Sequence, residues 1–228
     1  MEENYFYKNF VEDYLNVSHN DIDSIKGFQE LFNKMAKYIL SNLAIKVDET
    51  TYYPLEIEFY YYNKNFKNEE TFKRTYERKC EAGEFFLHYS GLDICFATID
   101  NCFGGILIRS VLKHKNGDND IIIPGPLKCA NEIINQCFKS KKKAHPEIIN
   151  DQSRINGAIW ATIRQGIETG AKFKTLRDNY NKHKISDDLF PRFAYYIEGL
   201  KWPNYSANPS VNYKKENTES RGNYSRPI

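Results

Sequence analysis

No two cysteines stand in a Cys-x-x-Cys pair, and no Cys/His set has the spacing of a metal site. The five cysteines, Cys80, Cys95, Cys102, Cys129 and Cys137, are odd in number, which argues against a closed disulfide framework. They are expected to be reduced and to serve mostly as small core residues. The start of the chain is acidic and lacks the apolar run of a signal peptide, so a cytoplasmic, non-secreted protein is expected. No apolar stretch approaches the roughly 20 residues needed to span a bilayer, so no membrane partner is expected. There is no internal repeat, and the regular strand-helix alternation of a doubly wound sheet is missing.

What is present is enough material for one core. A chain of 228 residues with 41% hydrophobic and 27% charged residues reads as one globular domain. Its 17 Tyr and 15 Phe can fill a core or supply surfaces on which bases stack, and composition does not separate the two uses. The net charge of +2 is small, but its distribution is uneven. Residues 139–184 hold eleven Lys or Arg against four Asp or Glu, a balance of +7, while residues 1–30 hold two against seven, a balance of −5. Such polarity suits a surface that meets phosphates, and suits a plain solvated surface equally well.

Residues 1–20 carry no clear pattern. Ser18 to Asp21 reads as a helix start, followed by Ile22, Ile25, Phe28, Leu31, Phe32, Met35, Ile39 and Leu40 at helical spacing. Strands are predicted at Leu43–Val47, Leu55–Tyr61, Phe85–Tyr89, Asp93–Thr98, Gly104–Leu112, Ile121–Ile123 and Phe193–Ile197. Pro124-Gly125-Pro126 breaks the chain before a helix expected over Leu127–Phe138. A helix or turn-helix piece is predicted within Asp151–Ile167. From about Ser206 to residue 228 the composition is that of a flexible polar tail. The order gives an α+β fold, a single domain with a curved mixed or antiparallel sheet and surrounding helices.

Four segments stand out together. They are Glu56-Ile57-Glu58-Phe59-Tyr60, Gly104 to Arg109, Pro124 to Cys129, and Pro191-Arg192-Phe193 with Gly199 to Trp202. In order and spacing they resemble the alkyladenine (methylpurine, 3-methyladenine) DNA glycosylases. That family has a Glu-x-Glu-x-Tyr strand, a later apolar strand ending in Arg-Ala, a Gly-Pro-Gly-Lys-Leu-Cys turn into a helix, and a Pro-x-Arg-Phe-Tyr-x-x-Gly segment. The resemblance covers about Phe28 to Tyr205, and it implies a glycosylase-like domain over 21–205. It further implies a monofunctional enzyme that flips a modified purine-like base out of double-stranded DNA and leaves an abasic site. No metal or cofactor is implied, no lysine is placed for a Schiff base, and a DNA-associated monomer is the expectation.

The physical reading runs beside this. Breaking an N-glycosidic bond creates a cationic sugar, which a carboxylate can stabilise while it takes a proton from the attacking water. Glu58 shares a strand face with Glu56 and Tyr60; by resemblance it activates the water, and otherwise it is a solvated Glu on an open sheet face. Arg109 is the one charge in an apolar strand and needs an anion. By resemblance it serves beside the catalytic Glu; otherwise it pairs with a core carboxylate such as Asp93. Tyr60, Phe86 and His88 are the implied base-binding residues, and a structural role is open for each. Tyr89 or Leu92 is the implied wedge that fills the emptied stack, or else ordinary turn-flanking core. Lys139, Lys141, Lys142 and Lys143 are candidate phosphate contacts.

Two family residues are missing. The His expected after the Tyr is absent around Glu70-Thr71-Phe72-Lys73, and Ala97 stands where the family has a base-discriminating Asn. These departures keep two other readings open. One is a non-catalytic nucleobase- or DNA-binding module on a degenerate glycosylase fold. The other is an interaction protein that uses its aromatic surface.

Overall fold

The computed structural model describes residues 7–16, 22, 24–62, 80–96, 102–140, 144–151, 157–162, 193–198 and 226–228. It is an α+β structure built on a ten-stranded, antiparallel sheet. A short π-helical turn, Val11–Leu15, precedes helix α1, Ile25–Asn42. The strands are β1 (Leu43–Val47), β2 (Thr50–Tyr62), β3 (Phe85–His88), β4 (Gly91–Phe96), β5 (Phe103–Lys115) and β6 (Ile121–Pro124). Helix α2 (Pro126–Lys139) follows, and then β7 (Glu147–Asn150), β8 (Ile159–Thr162), β9 (Ala194–Ile197) and β10 (Arg226–Pro227).

Two strands of 13 residues, β2 and β5, form the spine. Each changes partner half-way along its outer edge. On β2 the edge pairs with β1 up to Tyr52 and with β9 from Glu56. On β5 it pairs with β4 up to Leu107 and with β6 from Ser110. At this junction the β2–β5 register slips twice and recovers. Pro54 faces Val111, Glu56 faces Ser110, and Ile57 faces Ile108, so Leu55 and Arg109 are each an extra residue. Paired bulges of this kind re-aim side chains, and they accommodate a proline within a long strand.

Helix α1 begins where Ser24 Oγ accepts the N–H of Gly27 at 3.1 Å. The helix starts at Ile25, and the Ser18–Asp21 stretch expected to start it lies outside the described residues. Its buried stripe, Phe28, Phe32, Met35, Ala36, Ile39 and Leu40, lies on one face of the sheet. There Phe32 stacks on Phe59 at 4.5 Å between ring centres, and Tyr61 stacks on Phe96 at 5.7 Å. Much of the aromatic content is thus core. Tyr195 closes this layer by donating to Asn33 Oδ1 and accepting from Gln29.

Helix α2 starts at the predicted break. Gly125 has φ +98°, a conformation that favours glycine, and Pro126 takes the first helical position. The helix covers part of the opposite sheet face, where Tyr52 and Lys113 both reach Glu132.

Three differences from expectation concern elements. Ile159–Thr162 is a strand between β9 and β10, not a helix, because its backbone groups pair with Ala194–Ile197. Glu147–Asn150 forms an unforeseen strand on β1. Near the end of the predicted loose tail, Arg226–Pro227 pairs with Trp160 and Ala161 and the N–H of Ile228 donates to Ile159, while residues 206–225 lie outside the described residues. None of the five cysteines forms a disulfide, and Cys95, Cys102 and Cys129 are buried. No helix among the described residues is long and apolar enough to cross a membrane.

Candidate active site

The face of the sheet opposite α1 carries the charge. Glu58 sits mid-strand on β2, and its cross-strand neighbours run through Leu107 and Asp93 to Phe86. Residues directly opposite share a face, so one row crosses four strands as Glu58, Leu107, Asp93 and Phe86. Glu56 and Tyr60 flank Glu58 on this face by strand alternation. Arg109 and Ser110 are consecutive, yet both reach it: Arg109 contacts Glu56 and Glu58, and Ser110 contacts Glu56. The bulge makes this possible, since regular pleating sends successive side chains to opposite faces.

The contacts among the described residues form a continuous chain. Arg109 Nε donates to Glu56 Oε1 at 3.2 Å, and Nη1 donates to Glu58 Oε2 at 3.1 Å. Tyr60 donates its hydroxyl to the same Glu58 oxygen at 3.0 Å, and Ser110 donates to Glu56 Oε2 at 3.0 Å. Glu58 is 0% exposed, Arg109 5% and Glu56 6%. The reading of Glu58 as a solvated residue on an open face is therefore set aside. Arg109 finds its anions in Glu56 and Glu58, not in Asp93.

Burial opposes the guanidinium's charge, but the Glu58 and Glu56 carboxylates outweigh it and push the Arg109 pKa above its ordinary value. The guanidinium stays charged throughout the accessible pH range. Among the described residues, two carboxylates face this one guanidinium. A buried carboxylate favours positive charge developing nearby, and the low local dielectric strengthens that attraction.

A second pair lies along the row. His88 Nε2 is 3.1 Å from Asp93 Oδ1, and Asp93 is wholly buried. The N–H of Ser90 donates to His88 Nδ1 at 3.3 Å. The His88 ring stacks on Phe86 at 5.7 Å. Asp93 was legible in the sequence only as a possible partner of Arg109. Its pairing with His88 depends on the β3–β4 register, which places His88 opposite Gly91.

The structure therefore brings Glu58, Arg109, Tyr60, Phe86 and His88 onto one face. It divides the two wedge candidates. Tyr89 projects from the β3–β4 turn with 73% of its surface exposed. Leu92 is 4% exposed and belongs to the core with Ile94 and Phe96, so it is not a wedge. The cause is strand parity, which gives Leu92 the α1 side of β4. Lys139 is exposed in the last turn of α2, while Lys141, Lys142, Lys143 and Ala97 lie outside the described residues, as does the Glu70–Lys73 stretch. Among the described residues no group of three His, Cys, Asp or Glu side chains is arranged to hold a metal ion.

No family model, no curated protein and no solved structure matches this chain.

Proposed function

We propose that this protein is a monofunctional DNA N-glycosylase of the alkyladenine glycosylase type. One observation carries the reading: Glu58 is buried at the centre of β2, and Arg109 and Tyr60 both hold its Oε2. The three residues are those that the motif resemblance assigns to water activation, its charged partner and the base-stacking wall. The curled antiparallel sheet with helices on its faces is compatible with such a domain.

The proposed reaction uses duplex DNA carrying a modified purine-like base. The nucleotide leaves the stack, and Tyr89 fills the gap. The base sits among Tyr60, Phe86 and His88. The C1′–N bond breaks with its electron pair going to the base. A cationic alkylated base therefore leaves neutral, and an uncharged base takes up one proton, balanced by the one released from the attacking water. Glu58 stabilises the sugar cation and takes a proton from the water that bonds to C1′. The products are the free base and an abasic site, and no metal or cofactor enters. General-base assistance of this kind contributes roughly 10²–10⁴ in rate.

A second reading has its own support. Glu58 is fully enclosed and ion-paired, which is also how a purely structural network looks. In that case the chain is a nucleobase- or DNA-binding module without catalysis.

The test uses excess protein and duplex oligonucleotides containing 7-methylguanine, hypoxanthine or a bulky purine adduct, followed by alkaline cleavage of abasic sites. Strand breaks with wild type that vanish with Glu58→Gln, at retained DNA binding, are the expected result. Binding without breaks on every substrate would replace the enzyme by the binding module.

A further inference from the structure

The resemblance assigns no role to Glu56, yet both of its carboxylate oxygens are held. Glu56 Oε1 takes Arg109 Nε at 3.2 Å, and its Oε2 takes the Ser110 hydroxyl at 3.0 Å. Its place depends on the paired bulges, which set Glu56 opposite Ser110 and leave Arg109 as the extra residue between. It is also where β2 first pairs with β9, through Tyr196. Glu56 is thus anchored from two strands, and it grips the guanidinium at Nε while Nη1 points to Glu58.

The grip has two consequences. The first is geometric. A guanidinium is a rigid planar fork, so fixing Nε fixes the direction of Nη1. The second is electrostatic. If Arg109 faced Glu58 alone, the pair would be neutral, and Glu58 would be a weak base and a weak partner for a cation. With Glu56 present, one positive charge is shared by two carboxylates.

We propose that Glu56 is a positioning residue that aims Arg109 at Glu58 and keeps Glu58 from being fully neutralised by it. The proposal rests on the glycosylase reading for its activity assay, but its titration assay does not need activity. Among the described residues, the charged or titratable groups around Glu58 include Glu56 and Tyr60 on β2, Arg109 on β5 and Asp93 on β4, with Cys129 of α2 beside Glu56. Removing the Glu56 charge removes a like charge from beside Glu58 and releases Arg109 to it. Both changes favour the charged form of Glu58, so it holds its charge to lower pH.

The experiment compares wild type with Glu56→Gln, which keeps an acceptor for Arg109 Nε but has no charge. Glutamate labelled with ¹³C at the side-chain carboxyl is titrated by NMR, and the Glu58 signal is identified by its loss in Glu58→Gln. In Glu56→Gln the Glu58 midpoint is expected at lower pH than in wild type. On the oligonucleotide that wild type cleaves, the single-turnover rate at neutral pH is expected to fall about 10-fold or more, with the acid limb moved to lower pH and the DNA dissociation constant unchanged. An unmoved or raised Glu58 midpoint in folded Glu56→Gln overturns the proposal, whether or not wild type is active. If wild type cleaves nothing, the glycosylase reading fails and the titration alone decides this one. Should Glu56→Gln not fold, Glu56→Ser replaces it, leaving room for a water on Arg109 Nε; the same two outcomes apply.

Discussion

The thiol of Cys129 lies 3.5 Å from the main-chain carbonyl oxygen of Arg109, and the N–H of Gly125 donates to that same oxygen at 2.8 Å. The first turn of α2 is thus tied to the backbone of the residue whose guanidinium holds two carboxylates. Position in the site is set from both ends, by Glu56 at the side chain and by α2 at the main chain.

Burial, with a smaller contribution from Glu56, pushes the Cys129 thiol above its ordinary value of 9.0. The folded protein keeps the thiol neutral at pH values where the unfolded chain ionises it. Its contribution to stability is complete below pH 9.0 and is lost as pH rises above that value. Unfolding free energy, measured by urea between pH 7 and pH 10.5, is expected to decline with a slope approaching about 1.4 kcal/mol per pH unit for this one proton. Tyr7 and Tyr52, both raised from 10.0 chiefly by burial, steepen the decline beyond that pH. Burial also raises the Cys137 thiol from 9.0, so Cys129→Ala should remove a large share of the part below pH 10 and leave the share of Cys137. An identical decline in that variant would show that another group titrates.

Arg109→Ala takes from the buried Glu56 and Glu58 the cation they share. Breaking a buried pair from one side costs about 3–5 kcal/mol. The variant should unfold at correspondingly lower urea. Adding Glu56→Gln and Glu58→Gln to Arg109→Ala should recover a large part of the loss, because the stranded charges disappear. No recovery in the triple variant would mean that Arg109 stabilises mainly through its packing.

Much of this architecture was legible in the sequence, for identifiable reasons. Leu55, Ile57 and Phe59 alternate with Glu56, Glu58 and Tyr60, so the two faces of β2 could be assigned from period alone. The three-and-four spacing from Phe28 to Leu40 exposed α1, and Pro124-Gly125-Pro126 marked the start of α2. The lone charge in an apolar strand announced that Arg109 needs an anion, but the partner it suggested was Asp93, and only the resemblance set Arg109 beside Glu58. What alternation could not give is the bulge. Nothing in Leu55 or Arg109 announces an extra residue, so the contact of Ser110 with Glu56 was hidden. The strand at Ile159–Thr162 was missed because its pairing depends on β9, more than thirty residues later. A four-residue apolar run does not distinguish strand from helix without its partner.

Leu92 and Tyr89 separate fold from function within one hairpin. Leu92→Ala empties a core position and is expected to cost about 2–5 kcal/mol. Tyr89→Ala removes an exposed ring and should leave stability within about 0.5 kcal/mol of wild type. If Tyr89 fills the stack, its loss lowers excision from duplex DNA much more than from a single strand, where little unstacking is needed. Equal losses on both substrates would deny it the wedge role.

Lys139, Lys141, Lys142 and Lys143 give the surface test. The overall charge of +2 is too small to draw a polyanion, so any affinity for DNA must come from a local concentration of lysine and arginine. Lys139 also has a purely structural use, since a cation in the last turn of α2 complements the helix dipole. Salt dependence separates the two. Each phosphate neutralised contributes a slope of about −0.9 to log affinity against log salt on duplex DNA. Changing all four lysines to glutamine should flatten that slope by up to about 3.6 if every one meets a phosphate. An unchanged slope with a slightly less stable helix would leave Lys139 its capping role and move the search for the DNA-binding face to the other basic residues between 154 and 184.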